Sequence, residues 1–313
     1  ASDMGFYWVT LMEGDTQTLS DIVTLTLSGG VSRLANLSTR GRIPANGSLT
    51  PGFVLKGTGN KSLVIRAVGP QLTEFGVQGA LSDPTMEIVP AGGTDAVASN
   101  DNWGDSANAA ELASTSASLG AFSLADASKD AALLTTLPLP NTSGQRGYTV
   151  RISSMDTADT AGFGIALAEV YDPDAIGHPI ELTNVSALGF SGSGENVLSP
   201  GFVIDGTGAK TMLIRVAGPS LLDFNVGGVM TDPKLSLIPA GQTTAIASND
   251  NWGGTDELKA AFAATGAFGF TSDSSLDAAV LVRLPPGVYT VKTEGADGGS
   301  GTVLVEAYEV TTE

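Results

Sequence analysis

The chain contains the same segment twice, and this internal repeat limits the architectures that it can adopt. Residues 52–103 align with residues 201–252 without a gap, and 28 of the 52 aligned positions are identical. The longest shared string is Ala-Ser-Asn-Asp-Asn-Trp-Gly, which occupies residues 98–104 and 247–253. At 313 residues, the chain is also long enough for two domains of ordinary size. The sequence therefore predicts two copies of one unit.

Shorter matches extend the repeat in both directions. Upstream, Asn-Leu-Ser at residues 36–38 corresponds to Asn-Val-Ser at residues 184–186. Downstream, Tyr-Thr-Val occurs in both copies near their ends. These matches predict four regions: an N-terminal arm at 1–31, repeat 1 at 32–173, a linker at 174–179 and repeat 2 at 180–313.

Each copy has the pattern of a β-rich domain. Residues 62–68 form a short apolar run between glycine-rich turns, and residues 148–153 alternate polar and apolar side chains. Residues 256–262 instead favour a helix, because acids begin the segment and Leu258 and Phe262 lie four residues apart. We predict an all-β fold of two tandem jelly-roll-like β-sandwich domains, each with one short helix, plus an extended N-terminal β arm.

Composition excludes several classes of partner and site. Fifteen basic against 33 acidic residues give a net charge of −18, which disfavours nucleic acid and anionic membranes as partners. The absence of cysteine removes thiol nucleophiles, zinc-thiolate sites and disulfides. No apolar run approaches the roughly 20 residues of a membrane span, so we expect no membrane insertion.

Motifs for catalysis are weak, and we expect that the protein is not an enzyme. A Ser-His-Asp hydrolase would need His178, the single histidine, which lies in the linker, and no Gly-x-Ser-x-Gly string is present. Residues 206–211 resemble a phosphate loop superficially, but Ala209 stands where that loop has glycine. A pair of catalytic carboxylates, as used in glycoside hydrolysis, stays an open alternative, because two of the 33 acidic residues can easily lie close together by chance.

Several strings of the chain resemble a repeat module of large secreted bacterial proteins. They are Asn-Leu-Ser-Thr-Arg-Gly, Gly-Phe-Val, Ile-Arg-Ala-Val-Gly-Pro, Asp-Pro, Ser-Asn-Asp-Asn-Trp-Gly, Gly-Ala-Phe, Asp-Ala-Ala-Leu-Leu and Glu-Val-Tyr-Asp. The pattern is more distantly similar to the pre-peptidase C-terminal type of β-sandwich. Over residues 32–313 the resemblance implies an extracellular, non-catalytic β module without a defined activity. Repeat 2 has Leu188 at the position of Arg40, so any role of Arg40 is not duplicated.

The resemblance also implies a compartment, which we expect to be extracellular or the cell surface. The chain would then be the mature form of a secreted protein, after removal of a signal peptide. Its first residues, Ala-Ser-Asp, suit a freshly cut end.

The N-terminal arm contains an aromatic, β-prone stretch at residues 6–12. In one strand its side chains would divide between two faces, with Phe6, Trp8 and Met12 on one and Tyr7, Val9 and Leu11 on the other. A strand that is apolar on both faces requires burial. One interpretation is an extra strand that folds back onto its own domain. The other is a donor strand that completes the sheet of a neighbouring copy.

Strand donation predicts a head-to-tail contact between copies, which produces a filament when it does not close into a ring. The protein would then be a structural homopolymer, similar to a pilus. The alternative is a secreted cell-surface adhesion or carbohydrate-binding module that is not polymeric. In that case exposed aromatics such as Trp8 would stack on glycans.

A repeated cluster of oxygen-bearing side chains makes Ca²⁺ a candidate cofactor, because hard cations prefer such ligands. The candidate ligands are Asn100, Asp101, Asn102 and Asp130 in repeat 1, and Asn249, Asp250, Asn251 and Asp277 in repeat 2. EF-hand spacing is missing. The alternative is an Asx-turn whose side chains bind backbone amides, while Trp103 and Trp252 fill the core.

Overall fold

The computed structural model describes residues 30–139, 144–155 and 164–311, together with the backbone of four short strands near the N-terminus. These arm strands are β1 (Gly5–Tyr7), β2 (Thr10–Glu13), β3 (Thr16–Leu19) and β4 (Val23–Leu25). The described chain is mostly β-structure, which confirms the all-β class.

Each repeat contributes eight strands and one α-helix. Repeat 1 contains β5 (Ser32–Ile43), β6 (Thr50–Lys56), β7 (Gly59–Val68), β8 (Pro84–Pro90), β9 (Ala98–Asn100), α1 (Ala109–Ser118), β10 (Ala131–Leu139), β11 (Gln145–Ser154) and β12 (Gly164–Tyr171). Repeat 2 contains β13 (Glu181–Ser191), β14 (Ser199–Gly206), β15 (Lys210–Ala217), β16 (Pro233–Pro239), β17 (Ala247–Asn249), α2 (Asp256–Thr265), β18 (Ala278–Leu284), β19 (Gly287–Gly295) and β20 (Gly301–Glu309). Short 3₁₀ turns cover Pro70–Phe75, Trp103–Asp105, Gly194–Asn196 and Pro219–Phe224.

Helix α2 begins where the sequence predicts. Thr255 is its N-cap, and the Thr255 hydroxyl accepts a hydrogen bond from the backbone N–H of Leu258 at 3.3 Å. Asp256 and Glu257 lie in the first turn, where the helix dipole favours negative charge. The helix ends at Thr265 and is capped by Gly266, whose φ of 71° lies in the left-handed region that glycine adopts at low cost.

The strands pair across the boundary between the repeats. All sixteen belong to one sheet system. One run has the order β10-β7-β12-β5-β14-β19-β16-β17, so that four strands of repeat 1 continue into four of repeat 2. The other run has the order β18-β15-β20-β13-β6-β11-β8-β9, so that four strands of repeat 2 continue into four of repeat 1.

The two runs also meet through β5 and β13, which form two parallel pairs, Leu34 with Leu182 and Arg42 with Phe190. The inner faces of both runs enclose a central core to which both repeats contribute. The prediction of two separate tandem sandwiches is therefore not confirmed, because each repeat completes its sheets and its core with strands of the other.

The glycines of the two Gly-Phe-Val strings allow strands of the two repeats to approach closely. A Cβ atom on Gly52 would lie 2.7 Å from the Ser186 hydroxyl, and one on Gly201 would lie 2.9 Å from the Ser38 hydroxyl. Both distances are shorter than a carbon–oxygen contact allows. Each glycine therefore admits a serine from the opposite repeat, and the two contacts correspond to one another.

The helices cover the outer faces of the sheets. Along β7, Leu63 and Ile65 point into the central core, whereas Val64 packs outward with Trp103 and with Leu112 of α1. The same alternation places β15 between the central core and a second lateral core under α2. Such strands are buried on both faces, which explains their continuous apolar sequences.

Substitution of Phe202 tests whether the shared core unfolds as one unit. Its side chain is 1% exposed on β14 and stacks on Tyr289 with ring centroids 5.5 Å apart. We expect Phe202→Ala to lower the free energy of unfolding by about 3–5 kcal/mol, because it leaves a cavity. Calorimetry should show one transition that moves as a whole, whereas the exposed control Val288→Ala should leave it unchanged. Two transitions, only one of them shifted, would contradict the shared core.

Candidate functional site: the repeated edge loops and buried ion pairs

The repeated Ser-Asn-Asp-Asn-Trp string lies against the outer edge of a sheet. In repeat 1, the backbone N–H of Trp103 donates to the carbonyl of Asp130 at 2.9 Å. The Asn100 side-chain oxygen accepts from the N–H of Ala132 at 2.9 Å, and its nitrogen donates to the carbonyl of Asn102 at 3.1 Å. The loop thereby binds backbone hydrogen-bonding groups at the edge formed by β10, on the side that faces away from β7.

Repeat 2 has the same arrangement along edge strand β18. The N–H of Trp252 donates to the carbonyl of Asp277 at 2.9 Å, and the Asn249 oxygen accepts from the N–H of Ala279 at 3.0 Å. Asn249 also donates to the carbonyl of Asn251 at 2.9 Å. The first asparagine of the string therefore fastens the loop to the sheet edge in both repeats.

The two loops differ in how far they cover the edge. In repeat 1 the Asn108 side chain donates to the carbonyl of Leu134 at 3.2 Å, two residues beyond Ala132. Repeat 2 is three residues shorter here, and Thr255 stands before its helix as the N-cap. The edge of β18 is therefore covered over a shorter length.

The carboxylates of Asp130 and Asp277 are fully buried and accept hydrogen bonds from the turn that follows β7 or β15. Asp277 accepts from the N–H groups of Gly218 and Ser220 at 2.7 and 3.2 Å, and from the hydroxyls of Ser220 and Ser275. In repeat 1 the corresponding donors to Asp130 are the N–H groups of Gly69 and Gln71 and the Ser128 hydroxyl.

These contacts support the Asx-turn interpretation of the eight candidate calcium ligands. Asn100, Asn249, Asp130 and Asp277 all bind protein donors or acceptors, whereas Asp101 is half-buried and Asp250 is exposed. Within the described part of the chain, no three His, Asp or Glu side chains group as a metal site would require. Binding of Ca²⁺ stays a prediction.

The predicted assembly residues lie in the N-terminal arm as two paired segments. Phe6 and Tyr7 belong to β1, which pairs with β4, and Leu11 and Met12 belong to β2, which pairs with β3. Trp8 and Val9 lie outside the described residues. The described parts of the predicted strand, β1 and β2, therefore pair with other strands of the arm. Glu13 pairs with Thr16, and the intervening Gly-Asp is a two-residue hairpin signal in the sequence.

A buried ion pair connects two further segments of repeat 1, Ile-Arg-Ala-Val at residues 65–68 and Glu-Val-Tyr-Asp at residues 169–172. Arg66 is 1% exposed, and its Nε lies 3.1 Å from Oε2 of Glu169. The Tyr171 hydroxyl donates to Oε1 of Glu169 at 2.7 Å, and Nη1 of Arg66 donates to the Phe122 carbonyl at 2.8 Å. The two strings therefore meet as neighbouring residues of β7 and β12.

Repeat 2 reproduces this network with closer contacts. Nε of Arg215 donates to Glu306 at 2.6 Å, Nη1 donates to the Phe268 carbonyl at 2.6 Å, and the Tyr308 hydroxyl donates to Glu306 at 2.5 Å. Neither pair was predicted from the sequence. A charged residue inside an apolar strand, present in both copies, was the signal that could have revealed them.

Burial determines the protonation behaviour of this network. It raises the pKa of Glu169 above its usual range, and the nearby Arg66 charge and the Tyr171 hydrogen bond offset only part of that rise. Burial also raises the pKa values of Tyr171 and Tyr308, each assisted by the adjacent glutamate. The tyrosines therefore stay neutral hydrogen-bond donors.

A second charge cluster holds the linker against repeat 1. Fully buried Lys61 lies 2.7 Å from Asp172 and 2.8 Å from Asp174, and Arg33 lies 2.8 Å from Asp172. His178 contacts Lys61 at 3.5 Å and accepts from the N–H of Ile180 at 3.2 Å. The single histidine is therefore part of the contacts that order the linker.

No protein-family model matches the chain, and no curated protein is similar to it at a significant level. The resemblance to a secreted repeat module therefore stays a prediction. In the part of the chain that the structure describes, no helix has the length and apolar character needed to cross a membrane.

Removal of one buried carboxylate distinguishes the turn from a calcium site. We expect Asp277→Ala to lower the free energy of unfolding by about 3 kcal/mol, because it leaves several buried donors without an acceptor. Thermal unfolding should show the same loss in Ca²⁺ and in chelator. The exposed neighbour provides the control, since Asp250→Ala should change little. A loss that appears only with Ca²⁺ would instead favour the cation.

Replacement of Glu169 tests its raised pKa. The folded carboxyl takes up a proton at higher pH than the unfolded one, so its contribution to stability increases as the pH falls from 7 towards 4.5. We expect the melting temperature of the wild type, relative to Glu169→Gln, to rise over that interval. A difference that is constant with pH, or that falls on acidification, would show that the carboxyl is not shifted upward.

Proposed function

We propose that this protein is an extracellular structural protein, the subunit of a pilus-like or fibre-like filament. Copies assemble head to tail, each donating strand residues of its N-terminal arm to the next. The subunit consists of two tandem repeats that share one β-sheet system, has no enzymatic activity and acts at the cell surface after secretion. Its partner is another copy of itself, without nucleic acid and without insertion into a membrane.

The separation of the arm from the main sheet carries this proposal. Within the described residues, β1 to β4 pair only with one another, while the sixteen other strands form the sheet system without them. The arm nevertheless holds the densest aromatic stretch of the chain, at residues 6–8. We infer that the apolar residues of this stretch bury against a second copy.

We assign the receiving edge to the second half of β18. The long edge strands are β10 and β18, which among the described strands pair only with β7 and β15, respectively. Strand β10 carries Pro138, which cannot donate a hydrogen bond, and Asn108 covers its middle. Beyond Ala279, the outward backbone groups of β18 belong to Leu281 and Arg283, and no hydrogen bond from the described loop of repeat 2 reaches them. Added strands bind such edges through main-chain hydrogen bonds.

One substitution at this edge tests assembly without altering the arm. Arg283→Pro removes an N–H that faces away from β15, so the β15–β18 ladder stays intact while the ladder to an added strand is broken. We expect filaments of the secreted protein in negatively stained images for the wild type and for Arg283→Ala, and monomers for Arg283→Pro. The alanine variant controls for loss of the side chain.

Deletion of residues 1–29 gives the complementary test. The truncated chain should retain its far-ultraviolet circular dichroism and remain monomeric. Filaments from the truncated chain would contradict the role of the arm. Glycan binding by a monomeric wild type would instead favour the adhesion or carbohydrate-binding alternative.

A further inference from the structure

Repeat 1 contains a cavity of about 180 Å³ between helix α1 and the outer face of β7 and β10. Its walls include the buried side chains of Arg66, Trp103 and Leu112, together with Ser116 of α1. Exposed residues of the same helix, including Ala113, also border it, so the cavity reaches the surface.

The corresponding space in repeat 2 is filled by two phenylalanines. The Gly-Ala-Phe strings at residues 120–122 and 266–268 fix the alignment at this point. Ser116 then corresponds to Phe262, and Leu124 corresponds to Phe270. Replacement of these two rings by smaller side chains accounts for the cavity, because the backbone elements around it are the same in both repeats.

The rings of repeat 2 show what the space accommodates. The Phe262 ring stacks on Trp252, with centroids 5.5 Å apart and planes inclined by 16°. The guanidinium carbon of Arg215 lies 4.7 Å from the centroid of the Phe262 ring and 4.9 Å from that of Phe270. One ring is thus held between an indole and a buried cation.

The equivalent cation in repeat 1 has fewer aromatic neighbours. The Arg66 guanidinium lies 4.3 Å from the centroid of Phe122, and its Nη2 has no hydrogen-bond partner among the described residues. Nη2 of Arg215 also has none there, but three ring faces surround that guanidinium. A ring in the repeat 1 cavity would supply the π-face contact that Ser116 does not provide.

We propose that repeat 1 binds a small neutral molecule with a single aromatic ring, placed between Trp103 and Arg66 as Phe262 is placed in repeat 2. The volume is suitable, since an apolar protein cavity of about 150 Å³ binds benzene. Charge selects against anions, because the Arg66 guanidinium is already paired with Glu169 and Asp126 also borders the cavity. Phenol is a soluble probe of this class.

Calorimetric titration of the full chain with phenol and cyclohexanol tests the proposal. The two probes are similar in size and each carries one hydroxyl, but only phenol has a π-face. We expect one saturable phenol site per chain and at least tenfold weaker binding of cyclohexanol. No saturable phenol binding, or equal affinities for the two probes, would overturn the proposal.

Substitutions in the cavity wall test whether phenol binds in the repeat 1 cavity. Ser116→Phe should fill the cavity and weaken phenol binding at least tenfold, and Leu124→Phe should do the same from the opposite wall if the first variant does not fold. The converse change, Phe262→Ser, opens the matching space in repeat 2 and should raise the number of phenol sites from one to two. Phenol binding that survives both filling substitutions would place it elsewhere and overturn the proposal.

Discussion

The pairing of β5 with β14 and of β13 with β6 is the contact on which the architecture depends. It joins four strands of one repeat to four of the other in both runs of the sheet, and it encloses one central core. Because hydrophobic burial scales with the apolar area removed from water, a common core stabilises both repeats together. Neither repeat has a complete sandwich by itself, which distinguishes this molecule from two domains connected by a linker.

The repeated motifs have roles that follow from this arrangement. Gly52 and Gly201 allow the close approach of the strands that cross between repeats. Asn100 and Asn249 fasten loops to the outer edges, far from that crossing. The arginine–glutamate pairs join β7 to β12 and β15 to β20 beneath the helices. Pairs of this kind are poor sources of net stability, but loss of one partner leaves an uncompensated buried charge.

The sequence predicts the elements better than their assembly. Alternation and turn residues are local signals, so the strands and the start of α2 at Asp256 could be predicted. The exchange of strands could not, because two copies of one motif pair equally well within a repeat or between repeats, and the pattern is the same in both cases. The asparagine loops presented a similar ambiguity, since a metal ligand and a backbone cap use the same side-chain oxygens. The role of Ser116 also could not be predicted, because only the structure shows that Ser116 and Trp103 line the same cavity.

Strand exchange has a consequence for how the chain is made. Translation proceeds from the N-terminus, so β5 and β6 leave the ribosome well before their partners β14 and β13. At about 5–20 residues per second, the interval from β5 to β14 lasts about ten to thirty seconds. During that time a nascent chain presents unpaired strand edges in an otherwise apolar half-sheet. Two such chains side by side could exchange halves with each other, so a holding chaperone during synthesis or export would favour pairing within one chain.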